Sequence, residues 1–175
     1  MTQDRFPMTI GGEEVLNEHL LLAYTENGEM MDSPLSVRFL VIHCSATRAD
    51  RNYTDKQLMR DHKKRGFRTV GYHFYVHKDG SITQFRKLLE VGSHARPYNR
   101  CSIGICYEGG LSAIDGKPAD TRTPEQRRSL CLLVHQLCHI YPDSCVCGHR
   151  DLSPDLNGDG IIEPEEWIKA CPCFD

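Results

Sequence analysis

The 175-residue chain lacks several things that would each have pointed to a function class. It has no apolar run near the roughly 18 residues that a membrane-spanning helix requires, so no membrane span is expected. Its opening stretch, MTQDRFPMTIGGEEVLNEHLLLAY, has no basic start before an apolar segment and no small-residue cleavage site, so no signal peptide is expected. It has no excess of positive charge: the formal net charge is −3, which supplies no basic field for nucleic acid or an anionic surface. It also has no internal repeat and no low-complexity segment. What remains is 39% hydrophobic and 26% charged, an ordinary balance for one compact domain with little room for a second.

Cysteine is abundant, with nine residues, an odd count that would leave an unpaired thiol in a secreted chain. Without an export signal, most are read as reduced, buried, small apolar side chains. Cys131 and Cys138, in an apolar helical pattern, fit that reading. Cys171 and Cys173 do not, because they flank Pro172 beside a polar loop.

Residues 1–36 carry weak strand-like runs and a turn signal, ENGE, and are read as an N-terminal extension to a domain spanning 37–175. VRFLVIHCSAT is a continuous apolar run ending in polar residues, which suits a buried strand presenting His43 at its C-terminal end. TDKQLMRDHKKRGF reads as a helix with capping-box spacing between Thr54 and Gln57 and a C-terminal Gly66. VGYHFYVHKDGSITQFR reads as a hairpin turning at KDG, and CSIGICYEGG as another strand. TRTPEQRRSLCLLVHQLCHIYP is the clearest helix: Thr123 and Gln126 cap it, Pro124 suits the first turn, and Leu130, Leu133, Val134, Leu137 and Tyr141 share one face. SCVCGHRD is a short strand leading into the tail. Strands alternating with helices imply an α/β fold with a central mixed sheet.

Most of the histidines need no functional reading. His62, His135 and His139 fall on predicted helices and are expected to be at the surface or half-buried; His19 and His77 lie in exposed-looking segments. His43 and His149 each follow an apolar strand and precede a polar turn, the position where α/β folds assemble sites. Two histidines and one cysteine hold zinc with a fourth position open to water. A closed zinc site of Cys145, Cys147, Cys171 and Cys173 is the structural alternative, although C-x-C is tighter than the usual knuckle spacing. DLNGDGIIEPEE matches the twelve-residue calcium loop. Asp155, Asn157 and Asp159 take positions one, three and five, Gly160 makes the turn, Ile161 offers its carbonyl, and Glu166 closes the loop. Pro164 is expected to start a short helix through Trp167 toward Lys169. The competing reading of this loop is an Asx-rich turn that satisfies its own backbone without an ion. A calcium sensor is disfavoured, since no second helix–loop–helix is visible.

VIHCSAT, GYHFYVHKDGSI, VGSHARPYNRCSIGI, GHRDLSP and KACPCFD occur in the order found in zinc-dependent N-acetylmuramoyl-L-alanine amidases. Over about residues 37–175 the chain resembles the branch of amidase-type phage lysozymes, whose fold is shared with peptidoglycan recognition proteins. The resemblance implies cleavage of the amide between N-acetylmuramic acid and L-alanine of the stem peptide. By motif, it implies His43, His149 and Cys171 as zinc ligands, Tyr72 and Lys169 as the catalytic pair, and His94 and Asn99 as groove residues. Zinc would lower the pKa of a bound water to roughly 7, and Lys169 would stabilise the oxyanion.

Two features depart from the family pattern. Cys106 stands where other branches often place a water-activating carboxylate, and Glu108, two residues on, is expected to face the same side of a regular strand. The gap between His149 and Cys171 is also longer than in the short phage form. The rival readings are a cytosolic amidase that recycles muropeptides, a branch that usually has aspartate in place of Cys171, and a peptidoglycan-binding module without hydrolysis. The expected partner is peptidoglycan or a muropeptide. The expected protein is a monomeric lysin held in the cytoplasm until released to the wall.

Overall fold

The computed structural model describes residues 29–175, preceded by one small antiparallel pair, β1 (Thr9–Ile10) and β2 (Glu13–Glu14). His19 and most of the ENGE turn lie outside the described residues. The remaining elements are β3 (Phe39–Cys44), β4 (Thr47–Arg48), α1 (Asp55–Lys64), β5 (Phe74–Val76), β6 (Ile82–Gln84), β7 (Ser102–Tyr107), β8 (Gly110–Leu111), α2 (Pro124–Ile140) and β9 (Cys145–Gly148). The central sheet runs β6-β5-β7-β3-β9. β3 pairs parallel with β7 and β9, β5 pairs parallel with β7, and β6 returns antiparallel to β5, so the sheet is mixed. A helix on each face makes this a single α/β domain, as the sequence implied.

Alternation along the strands sorts the two faces. Leu40 and Cys44 of β3, Ile103, Ile105 and Tyr107 of β7, and Phe74 and Val76 of β5 pack with Leu130, Leu133, Leu137 and Tyr141 of the α2 segment. Each buried leucine there stabilises the fold by about 1.5–3 kcal/mol. Tyr75 and Cys106 point the other way, onto Leu58 of α1. His43 and Gly104 share that second face by register, since His43 pairs with Cys106. His43 therefore lies on the α1 side of the sheet.

Both helices start as read. Thr54 Oγ1 accepts from the Gln57 N–H, and Gln57 Oε1 accepts from the Thr54 N–H at 2.8 Å. Thr123 and Gln126 repeat this at α2. Gln126 is fully buried, and its Nε2 also donates to the carbonyls of Val76 (3.1 Å) and Glu108 (2.9 Å), fastening the helix start to the sheet.

Two expectations need correcting. Cys131 is exposed, because it lies off the face of α2 that carries Leu130, Leu133 and Leu137; Cys138 is half-buried against the core. His62 is buried rather than superficial: it lies one turn after Leu58 on the inner side of α1, and its Nδ1 accepts from the Gly71 N–H at 2.8 Å. Residues 29–36 pack onto the domain, with Met31 in the core, the Met31 N–H donating to the Leu89 carbonyl and the Val91 N–H donating to that of Glu29.

His73 makes stability depend on acid. It is fully buried, its Nδ1 accepts from the Gly104 N–H at 3.0 Å, and its Nε2 lies 2.7 Å from the Glu90 carbonyl, which leaves no nitrogen free for a second proton. Burial pulls its pKa down from 6.5 to about 4. The unfolded chain therefore binds this proton at a higher pH than the folded one. The group's contribution is intact above pH 6.5 and is lost as pH falls toward 4, by about 2 kcal/mol between pH 7 and pH 5. Unfolding free energies from urea titrations with chelator present should fall by at least that amount, and equal values at pH 7 and pH 5 would refute the prediction.

Candidate metal centre

Parallel pairing of β3 with β9 puts Ile42 opposite Gly148, so His43 on β3 and His149, the first residue past β9, emerge at the same level. Their ring centroids lie 4.6 Å apart. Cys171 reaches them from the C-terminal tail, which the sheet holds at several points. The Arg150 N–H donates to the Cys171 carbonyl at 2.9 Å, and Tyr107 Oη donates to the Pro172 carbonyl at 2.8 Å. Gly148 is required here, because a Cβ at that position would come 2.4 Å from Pro172 Cδ. The ligand atoms of His43, His149 and Cys171 all lie within 4.8 Å of one another, and they form the only such His/Cys/Asp/Glu group among the described residues.

This donor set suits zinc, and the local electrostatics prepare it. Burial, then the charges of His149, His94 and Lys169, hold the His43 pKa well below 6.5. Burial and Lys169 bring His149 down to about 4. Both are therefore neutral imidazoles at pH 7, the form that binds metal. The Cys44 thiol and burial push the Cys171 thiol up, against the Cys44 backbone N–H that donates to its Sγ at 3.2 Å, so its proton would leave as metal binds. The four-cysteine alternative is not assembled: Cys145 and Cys147 pack with Phe39 and Val41, while Cys171 and Cys173 pack in the other cluster.

A cleft of about 570 Å³ opens over these three residues. Tyr72 lines it with its ring 5.1 Å from that of His43. Burial and the neighbouring sulfurs push the Tyr72 pKa well above 10, so its hydroxyl keeps its proton at neutral pH. Cys106 is buried beneath Tyr72, and burial likewise raises its thiol; at neutral pH it offers no base in place of the missing carboxylate. Lys169 is exposed on the rim, near enough for its charge to act on both histidines. Arg65 and Arg96 add positive charge to the lining, and no aspartate or glutamate is among the residues that line the cleft. His62, Arg65 and Arg96 are cleft residues that sequence reading missed. The spacing of His62 from Leu58 was a signal available for the first; nothing local marked the arginines.

His94 and Asn99 also reach the cleft, but both are engaged by the protein. Asn99 Oδ1 accepts from the backbone N–H groups of His94 and Ala95, both at 2.9 Å. His94 Nδ1 lies 3.0 Å from His43 Nε2. Glu108 corrects the expectation placed on it. β7 ends at Tyr107, and the Glu108 carboxylate accepts from the N–H groups of Tyr53 (2.6 Å) and Lys78 (3.2 Å). It lines a separate cleft of about 650 Å³ with His77 and Asp55, which none of the three ligand residues lines.

In the 155–166 loop, the side chains that the calcium reading names also hold backbone N–H groups. Asp155 accepts from the N–H groups of Gly158 and Gly160, Asn157 from that of Asp159, and Asp159 from that of Ile161. Glu166 is buried and turns inward, accepting from the N–H groups of Leu156 (2.7 Å), Asn157 (3.1 Å) and Glu163 (3.1 Å). Its carboxylate does not converge with those of Asp155 and Asp159 into an ion-holding group. The helix begun by Pro164 is a single 3-10 turn ending at Glu166 and does not continue to Lys169. The segment is instead held by the Ile168 N–H on Ser153 Oγ and by Arg150 stacked over Trp167. Glu166→Gln should therefore lower Tm by about 3 °C with or without millimolar calcium, from the loss of one acceptor oxygen worth about 1 kcal/mol. A wild-type Tm that rises with calcium, zinc being saturating, would assign an ion to the loop instead.

A model of the N-acetylmuramoyl-L-alanine amidase family matches residues 33–165. The chain belongs to this family. The chain is 38% identical over 136 residues to an endolysin of Enterobacteria phage T3, covering 78% of this chain and 80% of the relative. It is 36% identical over 134 residues to an endolysin of Enterobacteria phage K11, covering 77% and 79%. Among solved structures, it superposes on the N-acetylmuramoyl-L-alanine amidase LysC from Clostridium intestinale with a TM-score of 0.61 and 28% identity, over 86% of this chain and 85% of that one. Lys169 and Cys171 lie beyond the segment matched by the family model, so their assignment rests on the geometry and on the KACP motif.

Proposed function

We propose that this amidase hydrolyses the bond between the lactyl group of N-acetylmuramic acid and the L-alanine of the stem peptide, with zinc held by His43, His149 and Cys171. The observation that carries this reading is the convergence of those three ligand atoms on the floor of a cleft that also contains Tyr72 and Lys169. Zinc, when bound, supplies a Lewis acid that makes water nucleophilic near neutral pH. The chain's own groups supply the rest. The Lys169 ammonium, unopposed by any lining carboxylate, faces the negative charge that develops on the amide oxygen. Tyr72 Oη keeps its proton and offers a hydrogen bond to the reacting amide. The positive lining of Arg65, Arg96 and Lys169 favours a substrate that carries carboxylates, as a stem peptide does. Water adds across the C–N bond, leaving a carboxylic acid on the lactyl group and a free amine on alanine.

The endolysin relatives support a role as a lysin, kept in the cytoplasm and then released onto the wall, with residues 37–175 as the catalytic domain. The deciding experiment incubates the zinc-loaded protein with intact sacculi and, separately, with soluble muropeptides, and identifies the products by mass spectrometry. Stem peptides with a free N-terminal alanine released from sacculi are expected. Cleavage of soluble muropeptides alone would assign a recycling role, and binding without cleavage would reduce the protein to a recognition module.

A further inference from the structure

The ring of His94 is engaged at both nitrogens, and the partners set the direction of each hydrogen bond. Ser102 Oγ has one hydrogen, which goes to the Tyr98 carbonyl 2.7 Å away. Toward His94 Nε2, 3.4 Å away, the same hydroxyl is left to accept. His94 Nε2 therefore carries the ring hydrogen, and Nδ1 carries a lone pair. That Nδ1 lies 3.0 Å from His43 Nε2, a contact that holds one hydrogen, so His43 donates from Nε2. The nitrogen of His43 left with a lone pair is Nδ1, in a residue whose ligand atom converges with those of His149 and Cys171.

The ring also sits in a slot shaped for it. A Cβ on Gly92 would come 2.5 Å from His94 Cδ2, and one on Gly104 would come 2.6 Å from the same atom. Asn99 Oδ1 holds the backbone on which the ring is mounted. Ser102 and Gly104 lie on β7 and His43 on β3, so the two central strands carry both ends of the arrangement.

We propose that His94 is a positioning residue of the metal centre: a relay from His43 through His94 and Ser102 to the Tyr98 carbonyl holds His43 in the tautomer whose Nδ1 meets the metal. This rests on the zinc reading above and gives His94 a different role from that of a groove residue contacting substrate. Partners that orient a metal-bound histidine in this way commonly contribute 10- to 100-fold in metal affinity.

The test has two arms. Nitrogen-15 NMR of the histidine rings in zinc-free wild-type protein should find His43 and His94 each protonated at Nε2; protonation of His43 at Nδ1 would overturn the relay without any variant. In the second arm, chelator competition gives the zinc Kd. His94→Phe keeps the ring's bulk and removes the acceptor, and should weaken zinc about 10- to 100-fold. His94→Gln restores an acceptor and should recover most of that loss. Unchanged zinc affinity in His94→Phe together with a raised KM would make His94 a substrate contact and end the proposal. If wild-type protein binds no zinc, the functional reading falls, while the NMR arm still decides the relay.

Discussion

Cys171→Ser is expected to abolish hydrolysis of sacculi and to weaken zinc binding well beyond the 10- to 100-fold typical of losing an outer hydrogen-bond partner. The thiol is the one soft donor in the group, and a serine hydroxyl stays protonated at neutral pH. Two neutral imidazoles would remain, His43 and His149, too few to hold the ion. The change adds little strain of its own, since the tail is held by backbone bonds from Arg150 and to Tyr107 that serine leaves intact. Metal content by mass spectrometry, read beside a turbidity assay, checks the result. Cys145→Ser is the control: it removes a cysteine of the discarded four-cysteine site and should leave zinc and turnover as they were. Full activity in Cys171→Ser with undiminished metal would remove Cys171 from the ligand set and make Cys173 the residue to examine, because its sulfur lies 3.7 Å from that of Cys44 in the same cluster.

Lys169→Ala should lower kcat by about 100- to 1,000-fold while zinc stays bound. Lys169 is exposed, so removing its side chain costs the fold little, and it is not a member of the converging group. The loss should appear in kcat with KM little changed, because charge on the amide oxygen develops only in the transition state. Tyr72→Phe should also slow turnover without releasing metal, since only a hydroxyl is lost. Glu108→Gln should leave turnover near wild type, its carboxylate being committed to Tyr53 and Lys78 in the other cleft. Near-normal kcat in Lys169→Ala would remove it from the oxyanion role. A large loss in Glu108→Gln would mean that the two clefts communicate.

Much of this molecule was legible in the sequence, because the signals are local. Capping boxes at Thr54 and Thr123 and an apolar stripe on α2 are properties of a few neighbouring residues, and both helices formed where those signals stood. The continuous apolar run of β3 announced a strand covered on both faces, and motif order indicated the family. The misreadings arose where a residue's partner is distant in sequence. Glu108 obeyed strand alternation on paper, but β7 stops one residue earlier, and backbone N–H groups from two other segments capture its carboxylate.

By itself, then, the sequence determined the α/β class, the starts of the two α-helices, the family, and His43 and His149 as residues at strand ends, since each follows from propensity, period or motif. Only the tertiary structure decided that those two histidines stand side by side, that Cys171 reaches them, and that His94 leans on His43. The parallel register of β3 against β9 and β7, and the close approach of Pro172 to a residue without a side chain, bring together groups that sequence spacing leaves far apart. A metal centre is a convergence of distant atoms, and such a convergence is a property of strand register and packing rather than of any local stretch of chain.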